Sequence, residues 1–245
     1  MRSLLSALAA AGLAVAPPSQ AQAPDPTQQW TLPEGGLLNG SKAEIENAPC
    51  CTTSRGAPVR NSDAAVLARL PNLAAREGDT LRLKLDGDRA LRLMDCDPQA
   101  NCDPDDTRIH RLVARWPNQR LYVVSVALYE EQVAYLVSES DGRALVVTAP
   151  PVLSPSGHQA IALVSNLMDG VDLEVVDLAR NPPTVAKITT MPGCPGASEA
   201  SMLRPKPVWI DESHVRFEGV SPQSGDNPHT KQLLRITNGK VAWEC

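Results

Sequence analysis

From Asp79 onward, apolar residues recur at every second position, the spacing of a strand with one buried face. Leu81, Leu83 and Leu85 alternate with Arg82 and Lys84, and Leu91 and Leu93 flank Arg92. The connection is Asp86-Gly87-Asp88. A two-residue Asp-Gly turn would set leucines opposite arginines. A three-residue loop pairs Leu83 with Leu91 and Leu81 with Leu93, gathering the apolar residues on one face. Burial of several leucines outweighs an ideal turn, which predicts the longer loop. The same register sets Arg82 opposite Arg92.

Two further hairpins follow the same logic. Val133–Ser138 and Ala144–Thr148 flank Asp141-Gly142 and are apolar on both faces, which predicts strands covered on both sides. Asn238-Gly239 is a favoured type I′ pair, and a two-residue turn there puts Ile236 opposite Val241 and Leu234 opposite Trp243. The one helical stretch runs from Ser62 to Arg76. Ser62 is its expected cap, Ala64, Val66, Leu67 and Leu70 recur at helical spacing, and Pro71 limits it to one or two short turns. Upstream, residues 22–48 are rich in Pro, Gly, Gln and Asn without periodicity, as in an extended or disordered lead-in. The predicted fold class is all-β. Antiparallel blade-like repeats form one domain over residues 49–245, arranged as a small or incomplete β-propeller or as a β-sandwich.

The blade-like reading rests on an internal repeat. Pro151-Val152-Leu153-Ser154-Pro155-Ser156-Gly157-His158 aligns without a gap to Pro207-Val208-Trp209-Ile210-Asp211-Glu212-Ser213-His214, 56 residues later. Pro, Val and His coincide, and an apolar strand follows each copy, Ala160–Val164 and Val215–Val220. The offset lies near the upper end of propeller-blade periods. The first copy runs on through Val171–Leu178 and Thr184–Thr190, expected as further strands. The segment PVLSPSGHQAIALVS…VDLEVVDL resembles the repeat of TolB-like β-propeller proteins of the PD40 type, in which an S-P-D-G turn opens a strand and a later strand ends in a V-D-L-like run. Here Ser156 stands where that family usually has Asp, and the second copy lacks the Pro and Gly of the turn. The resemblance spans roughly residues 133–220 and implies a blade-like β meander. At four strands and about 45 residues per blade, residues 81–245 hold three or four blades; fewer than four do not close.

The start of the chain sets the expected compartment. Arg2 precedes the apolar run Leu4–Val15, and Ala21-Gln22-Ala23 offers small residues in A-x-A order. This is the layout of a secretory signal over residues 1–21, cut after Ala21 or Ala23, with an apolar run too short to span a bilayer. The mature protein is therefore expected to be periplasmic or secreted, without membrane insertion. All six cysteines, Cys50, Cys51, Cys96, Cys102, Cys194 and Cys245, lie beyond the cut, and an even count in an exported chain reads as a disulfide set. Cys96 and Cys102 close a short loop, and Cys194 and Cys245 both follow the last long apolar strands; these are the two expected pairs. Cys50 and Cys51 would then form a rare vicinal disulfide, or the pairing differs. A redox or copper(I) pair at Cys50-Cys51 is the alternative to that structural role.

Composition narrows the functional classes. The formal net charge is −5, so the chain has no electrostatic footprint for nucleic acid or an anionic membrane. Aromatic residues make up only 3%, which leaves the core to Val, Leu, Ile and Ala and supplies no platform for stacking bases or sugars. The loop after Cys96 carries Asp97, Asn101, Asp103, Asp105 and Asp106. Calcium takes six to eight oxygens from such groups, but this spacing fits no EF-hand, and the expected role is a disulfide-pinned, solvated loop with calcium as the alternative.

No local pattern announces catalysis. His110, His158, His214 and His229 form no zinc-enzyme pair, and the shared repeat position of His158 and His214 reads as turn structure. Gly196-Ala197-Ser198-Glu199-Ala200 lacks the second glycine of a nucleophile elbow. Arg82, Lys84, Arg89 and Arg92 are expected on the polar face of the first hairpin, where opposed like charges are mildly destabilising and a basic face suits an anionic ligand or protein partner. The leading expectation is an exported, non-catalytic binding or scaffolding protein with no cofactor. One alternative is a hydrolase assembled from Asp211, His214, His158 and the 96–106 loop. Another is an inhibitor presenting the Cys96–Cys102 loop.

Overall fold

The computed structural model of the 245-residue chain describes residues 30–33, 36–39, 63–96, 107–166, 170–188, 206–218, 232–237 and 240–244. Alternation of apolar and polar residues resolves into strands in each of these stretches of any length. They are β1 (Gly36–Leu38), β2 (Ala74–Glu77), β3 (Thr80–Lys84), β4 (Ala90–Met94), β5 (Ile109–Trp116), β6 (Leu121–Ala127), β7 (Gln132–Ser138) and β8 (Ala144–Val147). The second half adds β9 (Val152–Leu153), β10 (Gln159–Asn166), β11 (Gly170–Asp177), β12 (Thr184–Ile188), β13 (Lys206–Trp209), β14 (His214–Glu218), β15 (Gln232–Thr237) and β16 (Lys240–Glu244). They form four antiparallel sheets of four strands. Sheet 1 has the order β1-β4-β3-β2, and sheets 2, 3 and 4 are simple meanders of β5–β8, β9–β12 and β13–β16.

The expected registers hold wherever both strands are described. Leu81 faces Leu93, Arg82 faces Arg92 and Leu83 faces Leu91. The loop between them spans Asp86–Asp88, with Gly87 at φ 66° and Asp88 at φ 58°, conformations that Gly and Asp tolerate best. Ile236 faces Val241 and Leu234 faces Trp243, although Asn238 and Gly239 themselves lie outside the described residues. In β7, Ala134 and Leu136 point into one apolar cluster and Tyr135 and Val137 into another, so this strand is covered on both sides.

The helical stretch is shorter than its pattern. Helix α1 covers only Ala64–Leu67, its N-cap is Asp63 without a side-chain cap bond, and Ser62 lies outside the described residues. The far end of the stretch is instead strand β2, where Ala74 opposite Leu83 and Arg76 opposite Leu81 gain a sheet's worth of backbone pairing. Part of the lead-in also pairs: β1 lies along β4, and Thr31 bridges to Ala144 at the edge of sheet 2.

Sheets stack in chain order, with apolar faces inward. The first cluster joins Leu81, Leu83, Leu91 and Leu93 of sheet 1 to Leu112, Tyr122, Val124 and Val126 of sheet 2. The second joins Leu121, Val123 and Leu136 of sheet 2 to Ala160, Ala162 and Val176 of sheet 3. The third joins Ile161, Leu173 and Val175 of sheet 3 to Val215, Phe217, Leu234 and Ile236 of sheet 4. Among the described residues, sheets 2 and 3 thus bury both faces, and sheets 1 and 4 one each. The sequence repeat falls at equivalent places, the first strand and turn of sheets 3 and 4. The turns differ by one residue, because Ser154 N–H bonds Gln159 O whereas Ile210 N–H bonds His214 O. His158 therefore lies in a turn, and His214 opens a strand opposite Arg235.

Candidate functional site

Alternation in β2 puts Arg76 on the same face as Ala74, among the apolar residues that meet sheet 2. A guanidinium there is tolerable only when paired. Arg76 donates to Asp63 Oδ2 at 2.7 Å, to Asp95 Oδ2 at 2.8 Å and to the His110 carbonyl at 2.6 Å. Asp95, at the end of β4, is the hub: it also accepts from Arg111 at 2.9 Å and from the His110 backbone N–H at 2.7 Å, and its Oδ1 lies 3.2 Å from His110 Nδ1. Burial raises the Asp95 pKa, but the His110 bonds and the Arg76 charge outweigh it, leaving the carboxyl below its ordinary value. The group joins sheet 1 to sheet 2. It is not fully satisfied: among the described residues Asp63 Oδ1, Arg76 Nε and the buried His110 Nε2 have no hydrogen-bond partner.

A second polar group fastens the other end of the same two sheets. A register shift between Leu112 and Ala114 turns β5 over, so Leu112 packs toward sheet 1 while Trp116 packs toward sheet 3. The bulge also aligns Arg115 with Tyr122. Arg115 then forks onto Glu139 at 2.6 and 3.1 Å, and the Glu139 hydrogen bond holds the Arg115 pKa above its ordinary value. Arg120 pairs with Asp86 in the sheet 1 loop, and Asp86 N–H bonds the Glu139 carbonyl at 2.9 Å. Tyr122 is buried, which pushes its hydroxyl pKa up to about 12, and it donates to Lys84 O at 2.8 Å.

Turns of successive sheets also hold one another. Gln119 of sheet 2 donates to Gly157 O at 2.9 Å, Ser156 of sheet 3 donates twice to Glu212, and Trp209 Nε1 donates to Val152 O at 2.9 Å.

Asp211, Ser213 and His214 bear on the hydrolase alternative. Asp211 accepts from the Ser213 backbone at 2.7 Å and hydroxyl at 2.9 Å, and these bonds lower its pKa to about 2. His214 Nδ1 lies 2.9 Å from Asp211 Oδ2 and 3.0 Å from Ser213 Oγ. A serine nucleophile needs the acid on one ring nitrogen and the hydroxyl on the other. Here both address Nδ1, the geometry of a locked turn.

The expected basic surface divides. Arg82, Lys84 and Arg92 share the outer face of sheet 1, away from sheet 2. Arg89 aligns instead with the core-facing residues and donates across to the Ser140 carbonyl of sheet 2. Asp97, Asn101, Asp103, Asp105 and Asp106 lie outside the described residues, as do Cys50, Cys51, Cys102, Cys194 and Cys245. Cys96 is disulfide-bonded, and its backbone pairs with Arg108 at 2.7 and 2.8 Å. Among the described residues no group of three or more His, Cys, Asp or Glu side chains is placed to hold a metal ion, and no helix is long and apolar enough to cross a membrane. The chain matches no protein-family model, no curated protein and no solved structure.

Sequence reasoning missed the buried polar groups. The available signal was Arg76, a charge on the apolar alternation of β2. Glu139 and Arg115 gave none, because their meeting depends on the bulge.

Proposed function

We propose that this protein is an exported, non-catalytic binding scaffold, an incomplete propeller-like stack whose end faces are its binding surfaces. The observation that carries the reading is how the charged groups are distributed. Between the sheets they are spent on mutual fastening, with Arg76, Asp95, Arg115 and Glu139 each held by close partners. On the outer faces the pairing is looser: on sheet 1, Arg82 comes no closer than 3.8 Å to Glu77 and Lys84 no closer than 3.9 Å to Asp88, and on sheet 4, Arg235 meets Glu244 at 3.1 Å with both side chains exposed. Stacked-sheet proteins keep polar outer faces on their terminal repeats for solubility. Among the described residues the apolar clusters join sheet 1 to sheet 2, sheet 2 to sheet 3 and sheet 3 to sheet 4, and none joins sheet 4 to sheet 1, which favours an open stack over a closed ring. Export rests on the N-terminal pattern from Arg2 to Ala23, and the disulfide-bonded state of Cys96 fits an oxidising compartment.

A turnover panel tests the non-catalytic reading. The full-length product recovered from the exported fraction is offered ester, phosphoester, glycoside and peptide substrates, beside Asp211→Asn and His214→Gln variants. No turnover separable from buffer is expected for any of the three. Turnover by the wild type that either substitution abolishes would establish a hydrolase and overturn the proposal.

A further inference from the structure

The outer face of sheet 1 is built unlike the seam where sheets 1 and 2 meet. Arg76, Arg111, Arg115 and Arg120 each meet a carboxylate oxygen within 3.0 Å. Arg82 comes no closer than 3.8 Å to Glu77, and Lys84 no closer than 3.9 Å to Asp88, pairs whose acids are 53% and 99% exposed. Contacts that long and wet hold little. Arg92 stands directly opposite Arg82, with Leu37 beyond it and Ala75 on the far side of Arg82. Directly opposed residues lie about 5 Å apart at Cβ, so the two like charges weaken the sheet they sit on. Lys84 lies two residues along β3 from Arg82, about 6.7 Å away on the same face.

We infer that this face binds an extended acidic peptide segment of a partner protein, an inference that rests on the scaffold reading above. Three features fix the chemistry. Two neighbouring guanidinium forks match carboxylates in bidentate geometry. Alternate side chains of an extended peptide repeat at about 6.7 Å, the Arg82-to-Lys84 spacing, so acids at every second position meet successive cations. Leu37 and Ala75 give the intervening aliphatic groups something to cover. A short segment is favoured over a membrane or a long polyanion because the chain as a whole carries −5. That charge repels any large anionic surface, while a segment a few residues long feels mainly the patch, the field being screened over about 10 Å at 0.1 M salt.

The test uses the full mature chain and a labelled peptide of roughly nine residues alternating Glu and Thr, with a Lys-Thr peptide and anionic phospholipid vesicles as comparisons. Fluorescence anisotropy should show saturable binding of the Glu peptide only, weakening as salt rises. Arg82→Gln/Arg92→Gln should weaken it by at least about tenfold, and Arg82→Lys/Arg92→Lys, which keeps the charge but loses the forks, by less. A urea midpoint that does not fall in either variant, and that rises in the Gln variant as the opposed charges are removed, separates lost binding from lost fold. Equal binding by the Gln variant, no binding of the Glu peptide by the wild type, or stronger binding to vesicles would each overturn the inference. None of those results touches the non-catalytic reading, which fails if turnover is found.

Discussion

Replacing Arg76 by Met should be among the most damaging single changes in the described part of the chain. The substitution keeps a long apolar stem between sheets 1 and 2 but removes the charge that serves two carboxylates. The Asp63 side chain is 0% exposed, and without Arg76 it retains one bond among the described residues, from Leu112 N–H at 3.3 Å. Asp95 loses less, because Arg111 and His110 still hold it. Removing one partner of a buried pair costs about 3–5 kcal/mol, most of it the penalty of stranding the other charge. Against a total stability of about 5–15 kcal/mol, that is a large share. For a domain of this size it corresponds to a fall in Tm of roughly 6–20 °C. If the stranded charge is the cause, adding Asp63→Asn should return about 1–2 kcal/mol or more, a coupling that a double-mutant cycle isolates. Urea unfolding followed by tryptophan fluorescence measures all four corners. A loss below about 1 kcal/mol for the single variant, or simple additivity in the double, would refute the reasoning.

Two pH effects follow from carboxylates with opposite shifts. Asp95 is lowered, so the stability it contributes is complete above the ordinary carboxylate range and is lost as pH falls through its folded value. Asp95→Asn should lower stability at neutral pH and flatten the decline between about pH 5 and pH 3; an unchanged acid limb would contradict this. Glu174 is raised, chiefly by burial, although it accepts Thr148 N–H at 2.8 Å. Its contribution is therefore complete below the ordinary glutamate value and falls as pH rises through the folded one. Glu174→Gln keeps the acceptor and sheds the buried charge, so the stability measured by urea unfolding at neutral pH should hold or rise by up to about 1 kcal/mol. A clear loss would show that the ionised form is needed.

What could be read from the chain beforehand was local and periodic. Leu81 against Leu93 and Leu234 against Trp243 are forced by alternation and turn length together, and a one-residue slip in either would turn a row of leucines to solvent. The helical stretch misled because Ala64 to Leu70 is periodic, whereas Ala74 to Glu77 answers to β3, a partner that its own spacing does not announce. Strand β5 hid for another reason: its bulge breaks the alternation, so Leu112 and Trp116 face different sheets. The Asp63–Arg76–Asp95 group joins residues from three separate elements and depends on how two sheets meet, which no local pattern encodes. Arg82 and Arg92 were legible as a like-charged pair. That Arg89 leaves them for Ser140 depended on the same packing.

The claim most exposed to test is that the stack is open, with its first and fourth sheets each presenting a charged face to solvent. Single cysteines in place of Arg82 and of Arg235, reacted in the native oxidised protein with a bulky charged maleimide, read both faces at once. An open stack predicts that both label within about an order of magnitude of an unfolded control. Labelling that stays strongly protected at both positions until the protein unfolds would mean that sheets 1 and 4 cover each other, and the open scaffold would be wrong.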